Sequence, residues 1–188
     1  MRQLTVFNNV TLDGYIADAR NDMSWAHQSP TDDEWNAFVS GNAQGGGALL
    51  FGRITYDLMA SFWPTPAAAA AMPAVAEGMN RMPKYVFSRT LTKPEWQNTT
   101  VLKGDITAAA RKLKREPGPG IVILGSGSIV AQLTAAGLID EYQLVVHPVV
   151  LGAGKTMFAG LKEGVRLKLA GSRVFKNGNV VLKYQRTA

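Results

Sequence analysis

Three short stretches of the chain combine glycine, hydroxyl and arginine side chains, a combination suited to binding phosphate. They are Gly52-Arg53-Ile54-Thr55, Ser88-Arg89-Thr90 and Gly125-Ser126-Gly127-Ser128. Glycine lets main-chain N–H groups approach an anion closely, and the arginine fork matches two phosphate oxygens. Two arginines beside hydroxyl groups suit the 2′-phosphate of NADP better than the NAD ribose, which usually pairs with an acid. Each arginine alone is more often a surface residue, so the prediction depends on the three stretches lying together.

A fourth stretch, VVLGAGKT at residues 149–156, resembles the end of a P-loop. The G-x-x-x-x-G-K-[ST] pattern requires glycine where this chain has Val149, and the short remainder of the chain indicates a β-hairpin. We therefore predict that Gly152 and Gly154 form a turn and that Lys155 is exposed. The turn at residues 125–128 also lacks the last glycine of the dinucleotide fingerprint, because Val130 occupies that position. A tight strand-to-helix turn without a ligand is the alternative there.

The elements around these turns indicate an α/β fold. Apolar runs that end at turn residues predict strands at Leu4–Asn8, Ala48–Phe51, Tyr85–Phe87, Thr99–Leu102, Ile121–Leu124 and Tyr142–Val146. Helical patterns lie between them, beginning near Thr31, Thr55, Ile106 and Ile129, which favours a mostly parallel sheet. Two further strands, Arg166–Phe175 and Val180–Arg186, flank Asn177-Gly178 and predict a C-terminal antiparallel β-hairpin. Ligands of such sheets collect at the carboxyl ends of the strands, where all three phosphate-type stretches lie.

Two segments fall outside this alternation. Residues 17–30 are polar and irregular, and we predict a mobile loop that acts as a lid over a ligand. The proline- and alanine-rich segment Pro64–Pro73 is predicted to be a surface excursion that is partly helical at best.

Composition limits the classes of protein that the chain can be. Its 188 residues suit one domain spanning residues 1–188. It has no cysteine and only His27 and His147, so disulfides and thiolate metal sites are excluded and no metal is expected.

Net charge is +6 with a pI near 9.7, which favours anionic partners. The basic cluster at residues 111–115 is interpreted as the solvent-exposed face and C-terminal end of a helix rather than as a nucleic-acid-binding patch. With no signal-peptide pattern or membrane-length apolar run, we expect a soluble cytoplasmic protein without nucleic-acid or membrane partners.

The order of the motifs resembles a known family. The chain resembles the dihydrofolate reductase-like superfamily in a series of motifs and in the order in which they occur. These motifs are TLDGYIA, FGRITYD, VFSRTL, ILGSGSIVAQL and GLIDEYQLVVHPVVLGAGKTMF. Within that superfamily, the chain is most similar to the C-terminal reductase domain of the bacterial riboflavin-biosynthesis deaminase–reductase, and the similarity covers nearly the whole chain. The resemblance implies a three-layer α/β/α fold with a mixed, mostly parallel central sheet, bound NADPH, and a homodimer.

The resemblance also implies roles for individual residues. It places the cofactor phosphates at Gly52, Arg53 and Thr55, and the adenosine 2′-phosphate at Ser88, Arg89 and Thr90. Gly125, Ser126, Gly127 and Ser128 would lie under the pyrophosphate and nicotinamide, with Ile16 and Ala17 beside the nicotinamide.

The substrate and catalytic residues follow from a looser match. Trp25, followed after a longer gap by Pro30-Thr31-Asp32, resembles the tryptophan and helix-starting acid of dihydrofolate reductases. It implies that Asp32 binds a pterin-like or pyrimidine ring and helps to deliver a proton. A plain helix N-cap is the alternative for Asp32. The function implied is an NADPH-dependent reductase acting on a pterin, an aminopyrimidine ribotide or a related small molecule. A non-catalytic nucleotide- or nucleic-acid-binding protein on the same fold is the alternative.

Overall fold

The computed structural model describes residues 1–30 and 32–187, so Thr31, the first residue of the predicted helix start, lies outside it. Within the described residues one eight-stranded sheet has the order β5-β4-β3-β6-β1-β7-β10-β9, and β2 pairs with β8 in a separate two-stranded sheet. The strands are β1 (Leu4–Thr11), β2 (Tyr15–Ala17), β3 (Ala48–Gly52), β4 (Lys84–Phe87), β5 (Thr99–Leu102), β6 (Ile121–Leu124), β7 (Glu141–His147), β8 (Lys155–Thr156), β9 (Leu167–Val174) and β10 (Val180–Arg186).

Six neighbouring strands of the large sheet, from β5 to β7, are parallel. β10 is antiparallel to both β7 and β9, so the C-terminal hairpin forms the end of the sheet. The predicted mixed, mostly parallel sheet with a C-terminal antiparallel hairpin is therefore confirmed.

Helices cover both faces of the sheet. They are α1 (Asp33–Gln44), α2 (Arg53–Phe62), α3 (Pro66–Ala71), α4 (Pro73–Arg81), α5 (Ile106–Arg115) and α6 (Gly127–Ala135). Leu50 and Ile123 point to the face covered by α5 and α6, whereas Leu49 and Phe51 point to the face packed with α1, α2 and α4. This period-2 alternation of apolar side chains lets one strand contribute to two cores, and it gives the three layers α/β/α.

The segment around Pro64–Pro73 is more ordered than the sequence indicated. It contains α3, whose first turn is capped by the Thr65 hydroxyl, and α4 follows directly. Proline stands in the first turn of both helices, where its missing N–H breaks no helical hydrogen bond. Val75 and Met79 of α4 are buried against the sheet. The sequence did not predict α4 because its prolines were interpreted only as helix breakers.

Parallel strands β3, β4 and β6 end at one edge of the sheet, at Gly52, Phe87 and Leu124. The chain turns there into α2, into the loop after β4, and into α6. The fold thus brings the three predicted phosphate-type stretches to a single edge.

Candidate active site

One cleft of about 2140 Å³ includes this edge of the sheet and also reaches residues that precede the strands, among them Gly47 and Gly120. All twelve residues predicted to bind the cofactor line it: Ile16, Ala17, Gly52, Arg53, Thr55, Ser88, Arg89, Thr90, Gly125, Ser126, Gly127 and Ser128. A single small-molecule pocket usually measures about 300–1,000 Å³. The cleft therefore has room for a dinucleotide and a second ligand together.

The Ser126 side chain joins two of the strand ends. Its hydroxyl accepts a hydrogen bond from the Gly52 N–H at 2.6 Å and contacts the Thr55 hydroxyl at 3.0 Å. A Cβ atom on Gly125 would lie 2.8 Å from the Thr55 Oγ1 atom, so the two turns are in close contact. The structure thus explains why glycine stands at 125, where φ is +59°.

Asn8, which the sequence analysis did not single out, fixes the same turn from β1. Its Oδ1 atom accepts from the Gly125 N–H at 2.5 Å, and its Nδ2 atom donates to the Gly125 carbonyl at 3.3 Å. Its side chain is 5% exposed, so these hydrogen bonds lie away from solvent. A polar residue among the apolar residues of a central strand was the signal that could have found it.

Two helix N-termini open on the cleft without side-chain caps. Within the part of the chain that the structure describes, neither Gly52 at the start of α2 nor Ser126 at the start of α6 makes a side-chain cap hydrogen bond. By contrast, Asp32 caps α1 and Asp105 caps α5. First-turn N–H groups have no partner within their own helix and carry partial positive charge. Both helix starts therefore offer donors to an anion, as a dinucleotide pyrophosphate requires.

The two arginines at the edge are in different environments. The Arg53 Nη1 atom lies 2.9 Å from the Asp57 carboxylate, one turn along α2. Arg89 is exposed, and no carboxylate of residues 1–30 or 32–187 lies within ion-pair distance of it. The Ser88 hydroxyl accepts from the Thr90 and Leu91 N–H groups at 3.2 and 2.9 Å, which shapes the turn that presents Arg89.

The other end of the cleft is bordered by the β2–β8 pair. A Cβ atom on Gly127 would lie 3.0 Å from the Thr156 carbonyl oxygen and 3.3 Å from Ile16 Cδ1, so this pair packs directly against the start of α6. Lys155 on β8 is exposed, as predicted, and its Nζ atom donates to Asn21 Oδ1 at 2.8 Å. Lys155 also lines the cleft, which the sequence analysis missed after excluding a P-loop.

Trp25 and Asp32 are not among the residues that line the cleft. Trp25 is buried in a 3₁₀ turn at Ser24–His27, and its ring lies edge-on to His147 with centroids 5.3 Å apart. Among the described residues, the tryptophans that line the cleft are Trp35 of α1 and Trp63 at the end of α2. Trp35 was recognised from the sequence only as part of a helical pattern.

Asp32 is the N-cap of α1, which was the alternative interpretation of this residue. Its carboxylate accepts from the Glu34 and Trp35 N–H groups at 3.0 and 3.1 Å, and from the Asn177 N–H at 3.1 Å. Burial disfavours the charged form, but these main-chain hydrogen bonds outweigh it and hold the pKa of Asp32 below its usual value of 3.8. Asp32 is therefore ionised at neutral pH, which suits a helix cap and does not suit a proton donor.

Residues 1–30 and 32–187 contain no group of three or more His, Cys, Asp and Glu side chains arranged to hold a metal ion. No helix among them is both long and apolar enough to cross a membrane.

Comparisons with known proteins agree with this geometry. The profile of the RibD C-terminal domain family matches residues 2–181, so the chain belongs to that family of reductase-type proteins. The uncharacterized protein YyaP of Bacillus subtilis strain 168 is 32% identical over 176 residues, covering 93% of this chain and 90% of the relative.

Solved structures share the fold. A putative riboflavin biosynthesis protein from Shewanella sp. PV-4 is 24% identical, with a TM-score of 0.75 and 99% of both chains covered. Dihydrofolate reductase from Enterococcus faecalis, solved with NADP(H), is 13% identical, with a TM-score of 0.64, 99% of this chain and 97% of that chain covered. The dihydrofolate reductase-like fold expected from the motifs is confirmed.

Proposed function

We propose that the protein is an NADPH-dependent reductase that delivers hydride to the carbon of a C=N or C=O bond in a small molecule. The observation that carries the proposal is that all twelve predicted cofactor residues line one cleft at the carboxyl edge of a parallel sheet. Two helix N-termini without side-chain caps open on the same cleft. Family membership supports the reaction class.

The residues present fit a phosphorylated dinucleotide. The first-turn N–H groups of α2 and α6 would hold the pyrophosphate, and glycine at 52 and 125 leaves the main chain accessible to it. Arg89 and Thr90 would hold the 2′-phosphate, because Arg89 is exposed and has no carboxylate partner among the described residues. Ile16 and Ala17 would border the nicotinamide ring.

NADPH, when bound, supplies the hydride from C4 of its ring. The cleft walls would orient the acceptor so that its electrophilic carbon faces that position, which is catalysis by positioning. As the hydride adds to carbon, the electron pair of the double bond moves to nitrogen or oxygen, which must then take up a proton.

The proton is proposed to come from water. Asp22 is the one carboxylate among the described residues that line the cleft. A hydrogen bond from the Ser24 hydroxyl holds the pKa of Asp22 below its usual value, so Asp22 carries no proton to give at neutral pH. Asn21, Asp22, Ser24 and His27, which line this part of the cleft, are exposed, and water would reach the acceptor from their side.

Fluorescence titration with NADPH and NADH tests the cofactor, and loss of nicotinamide absorbance in a screen of pterins and aminopyrimidines tests turnover. We expect tight NADPH binding, weaker NADH binding and oxidation of NADPH by at least one acceptor. Failure to bind either cofactor would refute the reductase proposal and would favour a binding protein without catalysis.

A further inference from the structure

The turn between β1 and β2 is tied to the loop between β7 and β8, here called the 148–154 loop, by the carboxylate of Asp13. Its Oδ2 atom accepts hydrogen bonds from the Leu151 and Gly152 N–H groups at 3.1 and 2.7 Å. Its Oδ1 atom accepts from the Thr11 hydroxyl at 2.6 Å. Asp13 stands 138 and 139 positions before the two residues whose N–H groups it binds. One side chain therefore joins two loops that are far apart in the sequence.

The charge of this carboxylate suits it to such a tie. The hydrogen bond from the Thr11 hydroxyl holds the pKa of Asp13 below its usual value of 3.8, so the side chain is ionised at neutral pH. An ionised carboxylate only accepts hydrogen bonds, and its bonds to N–H groups are stronger than those between neutral groups. Asp13 is exposed, yet its oxygens bind the main chain of a distant loop, which a residue that only adds surface charge would not do.

The 148–154 loop leads into β8, the strand that pairs with β2. Gly154, at the end of this loop, packs so closely against β2 that a Cβ atom there would collide with the Ala17 carbonyl oxygen. At the other end of β2, the Tyr15 hydroxyl donates to the Gly152 carbonyl at 3.4 Å. Both ends of β2 are therefore in contact with the loop.

The β2–β8 pair borders the nicotinamide end of the proposed cofactor site. A Cβ atom on Gly127 would lie 3.3 Å from Ile16 Cδ1 and 3.0 Å from the Thr156 carbonyl oxygen, so the start of α6 packs against both strands. A shift of the 148–154 loop would therefore move the walls around the nicotinamide. The turn that carries Arg89 follows β4 in another part of the sheet and would stay in place.

We propose that Asp13 is a positioning residue, which fixes the 148–154 loop and thereby holds β2 and β8 in the arrangement that receives the nicotinamide ring. The inference rests on the function proposed above and adds a residue to that site. Asp13 is not among the residues that line the cleft, so it acts through the main chain of the loop. Without its carboxylate, the Leu151 and Gly152 N–H groups return to water and the loop is released from the β1–β2 turn.

The test compares NADPH with 2′-phospho-ADP-ribose, which keeps the adenosine, the 2′-phosphate and the pyrophosphate but has no nicotinamide ring. Isothermal titration calorimetry of the full chain measures both affinities. We expect Asp13→Ala to weaken binding of NADPH about tenfold and binding of 2′-phospho-ADP-ribose less than about twofold. Asp13→Asn keeps one oxygen that can accept from the Leu151 and Gly152 N–H groups, so it should restore NADPH affinity to within about threefold of the unmodified protein.

Glu34→Ala is the matched control. Glu34 is also an exposed carboxylate that joins distant parts of the chain, because it accepts from Arg173, 139 positions away, at 2.6 Å. It is not among the residues that line the cleft, so its removal should leave both affinities unchanged.

The proposal would be overturned if Asp13→Ala weakened both ligands equally or weakened neither. It would also be overturned if the unmodified protein bound the two ligands with the same affinity, because the nicotinamide ring would then contribute nothing to binding. These results would leave the reductase proposal standing, since NADPH would still bind. Failure of the unmodified protein to bind NADPH would instead refute both proposals.

Discussion

Replacing Arg89 by alanine should weaken binding of NADPH far more than binding of NADH. Arg89 is exposed at the end of β4, and none of residues 1–30 and 32–187 offers it a carboxylate within ion-pair distance. Its guanidinium is therefore free to bind a phosphate without first breaking an internal ion pair. The two cofactors differ only in the 2′-phosphate, so the difference between their losses of affinity isolates that one contact.

The magnitude follows from the geometry. A hydrogen bond to a charged group contributes about 1.5–3 kcal/mol, and solvent around Arg89 places the value in the lower half of that range. A loss of about 2 kcal/mol corresponds to an affinity for NADPH about 30-fold weaker, because about 1.4 kcal/mol is tenfold. Affinity for NADH should change by less than about twofold.

Quenching of tryptophan fluorescence is a direct assay, because Trp35 lines the cleft. Arg53→Ala is the matched control, since Arg53 stands at the start of α2 near the proposed pyrophosphate. It should weaken NADPH and NADH by similar factors. If Arg89→Ala also weakened both cofactors equally, the assignment of Arg89 to the 2′-phosphate would be wrong.

Three further predictions concern Gly125, Asp32 and His147. Gly125→Ala should destabilise the protein by about 1–2 kcal/mol, since φ is +59° there and the new Cβ would lie 2.8 Å from Thr55 Oγ1. Chemical denaturation measures the loss of stability, and an unchanged denaturation midpoint would contradict the prediction. Asp32→Asn keeps an acceptor for the α1 cap and should leave turnover within about threefold, whereas a loss of about 100-fold or more would make Asp32 a catalytic acid. Burial, assisted by the charge of His27, lowers the pKa of His147 from 6.5 to about 4, so the unfolded chain binds a proton between those values that the folded chain does not. The free energy of unfolding should therefore fall by about 1 kcal/mol or more as pH drops from 6.5 to 4, and His147→Gln should remove that part of the dependence, which thermal denaturation across this window would detect.

Most of the fold could be predicted because local patterns and global packing agree. Val122 and Ile123 show the alternation of a strand covered on both faces, and Asn177-Gly178 gave the hairpin turn. Gly137 follows α6 with φ at +64°, the left-handed backbone in which helices commonly end at glycine. The exceptions were the short β2–β8 pair and α4, where proline hid a helix whose buried face is visible only once α1 and the sheet are in place.

The candidate site was predictable where function requires particular residue types at strand ends. Gly52, Arg89 and Gly125 could be found because parallel topology alone places such turns at one edge. Asn8 and Trp35 could not, because their roles depend on which turn or cleft a side chain reaches across the sheet. The match of Trp25 and Asp32 to a motif indicated a helix start but not whether that start faces the cleft. The homodimer and the cytoplasmic location that the sequence suggested stay predictions.

A crystal structure of the protein with NADP⁺ would test the central claim most directly. We predict that the pyrophosphate lies within hydrogen-bond distance of the first-turn N–H groups of α2 and α6. The 2′-phosphate should contact Arg89, and the nicotinamide should lie beside Ile16 and Ala17. Density for the dinucleotide on any other surface, or with its 2′-phosphate away from Arg89, would contradict the account.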